Sequence, residues 1–238
     1  MGTVGSNPTP SATQFESGVA YVRTAIVLAA LTVVLLVPAT SAAAKVNKAD
    51  VAIQKQAVLR KSDLSAGWRS SPDQPLSLPS DPTCAALQEA NDALEPVATE
   101  SPDYWKSDWT RAHNAVAVLA TPKQARGWLA RYAEPDAATC LEEAMKDTFA
   151  QPGIQGVRVY VAPMNDTPRG ADDAVGFEIQ ITATDTSSAQ TLVIIYDTLV
   201  VRVGRALTNF AFMNVANPLP EQDELVDAVI GRLQDAGI

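Results

Sequence analysis

The sequence predicts an α+β domain: an antiparallel sheet of about five strands with helices packed mainly on one face. Three observations lead there. Val175, Phe177, Ile179, Ile181 and Ala183 alternate with Gly176, Glu178, Gln180 and Thr182, the period of two of a half-buried strand. Two further apolar, β-rich runs follow at 191–203 and 206–213, separated by a polar break at 185–188 and by Gly204 and Arg205. Connections that short make an antiparallel meander. Beyond Pro220, with Glu221, Asp223 and Glu224 at its start, Leu225, Val226, Val229, Ile230 and Leu233 form one helical stripe suited to covering that sheet.

The first part of the chain reads differently. Residues 24–37 (TAIVLAALTVVLLV) are uncharged and apolar, follow Arg23, and lead through Pro38 to Ala42, Ala43 and Ala44. These are the parts of a secretory signal peptide. The run falls short of the ~20 residues that span a bilayer, so cleavage is expected and an uncleaved membrane anchor is the alternative. The polar lead before it holds Glu16 and no Lys or Arg, which points to a translation start nearer Val19 or Val22. Residues 1–44 are therefore assigned to a signal peptide or anchor, and 45–238 to a single extracytoplasmic domain, secreted or held at the membrane by that segment alone.

A net charge of -9 argues against nucleic acid or anionic lipid as the main partner. The two cysteines, Cys84 and Cys140, both fall in the exported part. In an oxidising compartment an even count suggests a bridge, and two independent buried thiols are the alternative.

Along the exported chain, a helix is expected after residue 45, with Asp50 as its N-cap, ending before Gly67 and Trp68. An extended proline-rich connection follows, then a helix from Asp81 that turns Cys84, Leu87 and Leu94 inward. The aromatic cluster SPDYWKSDW leads into a strand over 110–120, with Val116 and Val118 on one face and Arg111, His113 and Leu119 on the other. Thr121, Pro122 and Gln124 read as a capping box for a helix burying Ala125, Trp128, Leu129 and Tyr132. A further helix carries Cys140, Leu141, Ala144, Met145 and Phe149, and a strand through Val157, Val159 and Val161 precedes the meander.

Tyr104, Trp105, Asp108, Trp109, Arg111 and His113 are the candidate ligand-binding residues. Clustered aromatics beside charged and hydrogen-bonding groups suit an apolar or sugar-like ligand; the competing reading is that the rings close the end of the core. His113 is the only histidine. With no G-x-S-x-G, H-E-x-x-H or P-loop pattern, neither a catalytic residue, nor a metal site, nor a cofactor is expected. Asp172 and Asp173 are a carboxylate pair of the kind hydrolases use, but adjacent loop aspartates are ordinarily solvated. Arg202 and Arg205 flank a turn, where they would meet an anionic partner or keep an edge hairpin soluble.

The DLSAGW segment from Asp63 to Trp68, Cys84, Cys140, AVAVLATPKQA at 115–125, LVVRVGRAL at 199–207 and the amphipathic C-terminal helix together carry a resemblance. With these residues the chain resembles actinobacterial extracytoplasmic sensor-type domains, such as the extracellular domains of mycobacterial receptor Ser/Thr kinases. The resemblance implies an antiparallel sheet with flanking helices, a ligand-binding cleft, no catalytic activity and a helix-tethering disulfide between Cys84 and Cys140. The chain departs from that pattern in lacking a second bridge and a cytoplasmic kinase, so any sensing would run through another protein. The expected function is a non-catalytic exported domain of the cell envelope that binds an unknown small ligand or an envelope protein. An envelope interaction or structural protein without a small ligand is the alternative, and a carboxylate-dependent hydrolase a distant third.

Overall fold

A computed structural model describes residues 47–71, 98–107 and 109–238. Within them the order is α1 (Lys48–Ala57), a short 3-10 turn (Lys61–Asp63), β1 (Arg69–Ser71), β2 (Ala98–Glu100), β3 (Asp103–Ser107) and β4 (Thr110–Val118). Then come α2 (Pro122–Tyr132), α3 (Asp136–Phe149), β5 (Ile154–Met164), β6 (Asp173–Asp185), β7 (Thr191–Val203), β8 (Ala206–Val215) and α4 (Gln222–Asp235). The predicted helix around Cys84, the N-terminal apolar segment and Asp108 lie outside the described residues. No helix among the described residues is long and apolar enough to cross a membrane.

Among the described residues the fold is α+β, with an open, wholly antiparallel sheet of eight strands rather than about five, in the order β1-β3-β4-β8-β7-β6-β5, with β2 also on β4. The additional strands are short and polar. β1 and β2 have three residues each, too few for an alternating pattern to show. β2 and β3 are two pieces of one strand, pairing the second and first halves of β4 respectively. Between them Ser101 donates its N–H to the Asn114 carbonyl at 2.8 Å, and Pro102, which has no N–H to donate, marks the break.

β7 lies inside the sheet between β6 and β8, and every residue from Ile194 to Val203 is buried. Alternation along it therefore sends apolar side chains to both faces. Ile194, Tyr196 and Val200 join Phe177, Ile179 and Ile181 of β6 in a cluster with Trp128, Leu129 and Tyr132 of α2 and Leu141, Met145 and Phe149 of α3. Leu199, Val201 and Val203 join Phe210 and Phe212 of β8, Val116 and Val118 of β4, Trp68, and Leu225, Val229, Ile230 and Leu233 of α4. Cross-strand partners share a face, so these are opposite sides of the sheet. The expectation that helices would sit mainly on one face is thus corrected: α2 and α3 pack on one side, α4 and the end of α1 on the other. Burying each Val, Leu, Ile or Phe is worth about 1.5–3 kcal/mol, and a strand apolar on both faces gains this only if both are covered.

Local chemistry fixes the helices. Thr121 accepts from the Gln124 N–H while Gln124 Oε1 accepts from the Thr121 N–H, each at 3.2 Å, the predicted capping box for α2. At α1 the cap is Asn47, whose Oδ1 accepts from the Ala49 N–H at 3.0 Å. Asp50, expected there, sits in the first turn and pairs with Arg205 instead. The carbonyls left open at the end of α1 are closed from a distance: Arg232 of α4 donates to Ala57 and Val58 O, each at 3.1 Å, and pairs with Asp63 at 2.9 Å.

The β7–β8 turn is internal to the sheet, not an edge hairpin, which overturns the solubilising role expected of its arginines. Arg202 pairs with Asp172 at 2.8 Å and with Asp173 at 2.7 Å, and Asp172 also accepts from the Gly204 N–H at 2.6 Å. Gly204 has φ +55, and a Cβ there would lie 2.5 Å from the backbone of Ile238. Arg205 donates to Leu119 O at 2.8 Å.

Asn114, fully buried on β4, holds three segments together. Its Oδ1 accepts from the Leu59 N–H at 2.9 Å, its Nδ2 donates to Thr208 Oγ1 at 2.6 Å, and its N–H donates to Ser101 Oγ at 3.1 Å. Asn114→Ala strands the Leu59 N–H in the core, and buried unpaired groups cost ~1–3 kcal/mol each. The expected loss is about 2–4 kcal/mol, read as a lower urea midpoint at unchanged slope.

Candidate functional site

The strongest concentration of unpartnered polar groups lies on the face that carries α2 and α3, over β3, β4, β8 and β7. The register places it. Arg111 is opposite Met213, His113 opposite Ala211, and Ala115 opposite Asn209. Thr198 is in turn opposite Ala211, and Tyr196 opposite Met213. On β3, Trp105 lies opposite Arg111, so Asp103, two residues away, shares that face. Asp103, Trp105, Arg111, His113, Tyr196, Thr198 and Asn209 therefore look the same way. Trp109 packs against the same apolar cluster.

His113 is 5% exposed, and neither Nδ1 nor Nε2 finds a hydrogen-bond partner among the described residues. Asp103 Oδ1, Asn209 Oδ1 and the Tyr196 hydroxyl are in the same condition. The other oxygen of Asp103 pairs with Arg111 Nη1 at 3.2 Å. Small Ala211 and Ala115 flank His113 on the sheet. Tyr132 of α2 hydrogen-bonds Thr198. The ring of Trp105 carries the Arg69 guanidinium 4.4 Å from its centroid.

Burial sets the protonation here. Desolvation pushes the His113 imidazole down to about 4, so it is neutral at physiological pH. Desolvation pushes the Asp103 carboxyl up to about 6, against the opposing pull of Arg111. Tyr196 is raised well above its ordinary range, by burial first and then by Tyr132 and Asp197. The result is a neutral histidine, a carboxylate half of which is paired, and several unfilled acceptors beside two indoles.

Of the residues singled out from sequence, Trp105, Trp109, Arg111 and His113 fall on this face. Tyr104 points the other way, into the α4-side core, where its hydroxyl donates to Leu59 O at 3.3 Å. Asp108 is outside the described residues. Asp103, Asn209 and Tyr196 were missed. Asp103 could have been found from the strand alternation that pairs it with Trp105, whereas Asn209 needs the β4–β8 register. Asp172 and Asp173 are partners of Arg202 and lie apart from His113 in the sheet. Cys140 is buried on α3, while Cys84 is outside the described residues. No group of three His, Cys, Asp or Glu side chains comes together among the described residues to hold a metal.

No protein-family profile matches the chain, and no curated protein does. Among solved structures it is similar to the extracellular domain of PknH from Mycobacterium tuberculosis, at 9% identity and a TM-score of 0.40, over 81% of this chain and 92% of that one. That is a weak structural resemblance without sequence-level support.

The two shifted groups act on stability with opposite signs. The raised Asp103 contributes stability that is complete below its unfolded value near 4 and is lost as pH rises through about 6. The lowered His113 contributes stability that is complete above ~6.5 and is lost as pH falls through about 4. Asp103→Asn should therefore gain on the wild type as pH rises from 4 to 6, and His113→Gln as pH falls from 6.5 to 4, each by on the order of 2 kcal/mol. Urea midpoints at intervals across that range read both slopes, and parallel curves for variant and wild type would contradict the assignment.

Proposed function

We propose that the chain is a non-catalytic binding domain, exported to the cell envelope, whose ligand is held over His113. The observation that carries this reading is the imidazole without a partner among the described residues at a 5% exposed position, with Asp103 Oδ1 and Asn209 Oδ1 unfilled on the same face. Each such group costs about 1–3 kcal/mol when buried alone. A molecule that pairs all of them recovers that cost.

The donor inventory describes the ligand. A neutral imidazole offers one donor and one acceptor, and the two side-chain oxygens offer acceptors only. A neutral, hydroxyl-bearing molecule with one apolar face fits: its hydroxyls donate to Asp103 and Asn209, and its face lies against Trp105 or Trp109. That is the sugar-like class. The imidazole is a poor general base at a value near 4. No hydroxyl or thiol among the described residues is hydrogen-bonded to it as a nucleophile. Both points favour binding over turnover.

Export rests on the apolar segment at 24–37 followed by Ala42, Ala43 and Ala44. In that setting we assign a Cys84–Cys140 disulfide, which holds the chain before β2 against α3 and, on the chain-entropy account, is worth roughly 4 kcal/mol.

Native mass spectrometry of the chain secreted from an actinobacterial host tests the reading. The expected spectrum shows a covalent mass two hydrogens below the reduced chain and a non-covalent addition lost on denaturation. His113→Ala should abolish the addition while melting within a few degrees of the wild type. A chain without addition, unmoved by a screen of mono- and disaccharides, would move the assignment to an envelope interaction protein that holds no small ligand.

A further inference from the structure

On the opposite face of the sheet, at the first turn of α4, stands a second set of unsatisfied acceptors. Asp197 of β7 lies directly opposite Glu178 of β6, so two carboxylates share a face at cross-strand distance. Like charges so placed repel, and none of the ion pairs among the described residues involves either one. Asp197 is 2% exposed and its Oδ1 has no hydrogen-bond partner among the described residues. Gln222, the first residue of α4, is 8% exposed; it hydrogen-bonds Asp197, yet its own Oε1 is also unpartnered. Two buried acceptors, one on each of these hydrogen-bonded side chains, thus lack a donor beside the Glu178 carboxylate.

The surroundings say what kind of donor fits. Arg158 and Tyr160 of β5 and Gln180 of β6 stand exposed on the same face. Tyr160, 65% exposed, lies one cross-strand row from the Ala162–Glu178–Asp197 row. Glu178 is half-buried, whereas Asp197 is buried. Two carboxylates and one amide are too few for calcium, which takes 6–8 oxygen ligands. A protonated amine presents three N–H donors, one for each acceptor, and the exposed tyrosine ring offers an apolar face to the carbon chain that carries it.

We propose that Asp197, Glu178 and Gln222 form a site for an alkylammonium group, with Tyr160 against the carbon chain that carries it. The Asp197 carboxyl, raised by burial and next by Glu178 to about 6, is consistent with a pair that lacks its counter-ion. The site is separate from the His113 face and does not depend on it. The same ammonium chemistry belongs to a free amine or to the lysine of a peptide.

The test uses n-butylammonium chloride against equal NaCl at pH 7.5, read by melting temperature and by titration calorimetry. A rise of about 2–4 °C is expected once the probe exceeds its Kd about fivefold. Asp197→Asn, which keeps the shape and removes the charge, should fold at least as stably and lose the response. Gln222→Leu should weaken it at least tenfold, and Tyr160→Ala should weaken it without changing the unliganded melting temperature. N-acetyl-lysine methylamide in place of butylammonium separates the two sources: tighter binding assigns a peptide lysine, weaker binding a free amine. No response to butylammonium, an equal response in Asp197→Asn, or a response to CaCl2 in its place would overturn the proposal.

Discussion

The structure depends on β7 being buried on both sides. A strand whose residues from Ile194 to Val203 are all buried cannot lie at an edge or under a single helical layer. It needs hydrogen-bonded neighbours on both flanks, which β6 and β8 supply over nearly its whole length, and apolar cover above and below. α2 and α3 provide one cover, α4 with the end of α1 the other. The same requirement explains why the short, polar β1, β2 and β3 exist at all: they extend the sheet beyond β4 and let Trp68 and Tyr104 close the core beneath α4.

Arginines then fix how the layers meet. Arg232 reaches from α4 to the open carbonyls of α1, Arg202 holds the loop before β6 against the β7–β8 turn, and Arg205 joins that turn to α1 and to the end of β4. A guanidinium suits each place because it serves several acceptors at once. These pairs sit partly or wholly out of solvent, where geometry counts for more than in exposed pairs. Their value is largely positional: each ties together chain segments far apart in sequence.

Legibility in the sequence followed the same physics. The meander, the capping box at Thr121 and the stripes of α2, α3 and α4 were readable because alternation, caps and helical periodicity are local. The number of helical layers was not read, although the signal is present: TLVIIYDTLVVRV is close to a continuous apolar run, the mark of a strand covered on both faces. Its neighbour β6 does alternate and, taken as representative of the whole sheet, predicts one layer instead of two. Asn47 was missed as the cap of α1 because Asp50 is an equally good cap by type; its pairing with Arg205 is a long-range fact. At the candidate site the aromatic and charged cluster around β3 and β4 was legible, but Tyr104 and Trp105 are neighbours and must face opposite ways. Asn209 enters only through the register of β4 on β8.

One local signal marks both polar sites at once. Asp197 and Thr198 interrupt the apolar run at the middle of β7, and residues of that type are seldom fully buried without partners. Being consecutive, they point to opposite faces. Thr198 points toward Tyr132, in the row that contains Ala211 and His113; Asp197 points to Glu178 and Gln222. On β7 the unpartnered Tyr196 hydroxyl and Asp197 Oδ1 likewise belong to consecutive residues on opposite faces of the most deeply buried strand, where backbone movement is most constrained. Filling either side would stiffen the segment that supports the other, because a ligand that binds only the folded arrangement stabilises all of it. A central strand covered on both faces is strong enough to tolerate such groups, and its edges are not.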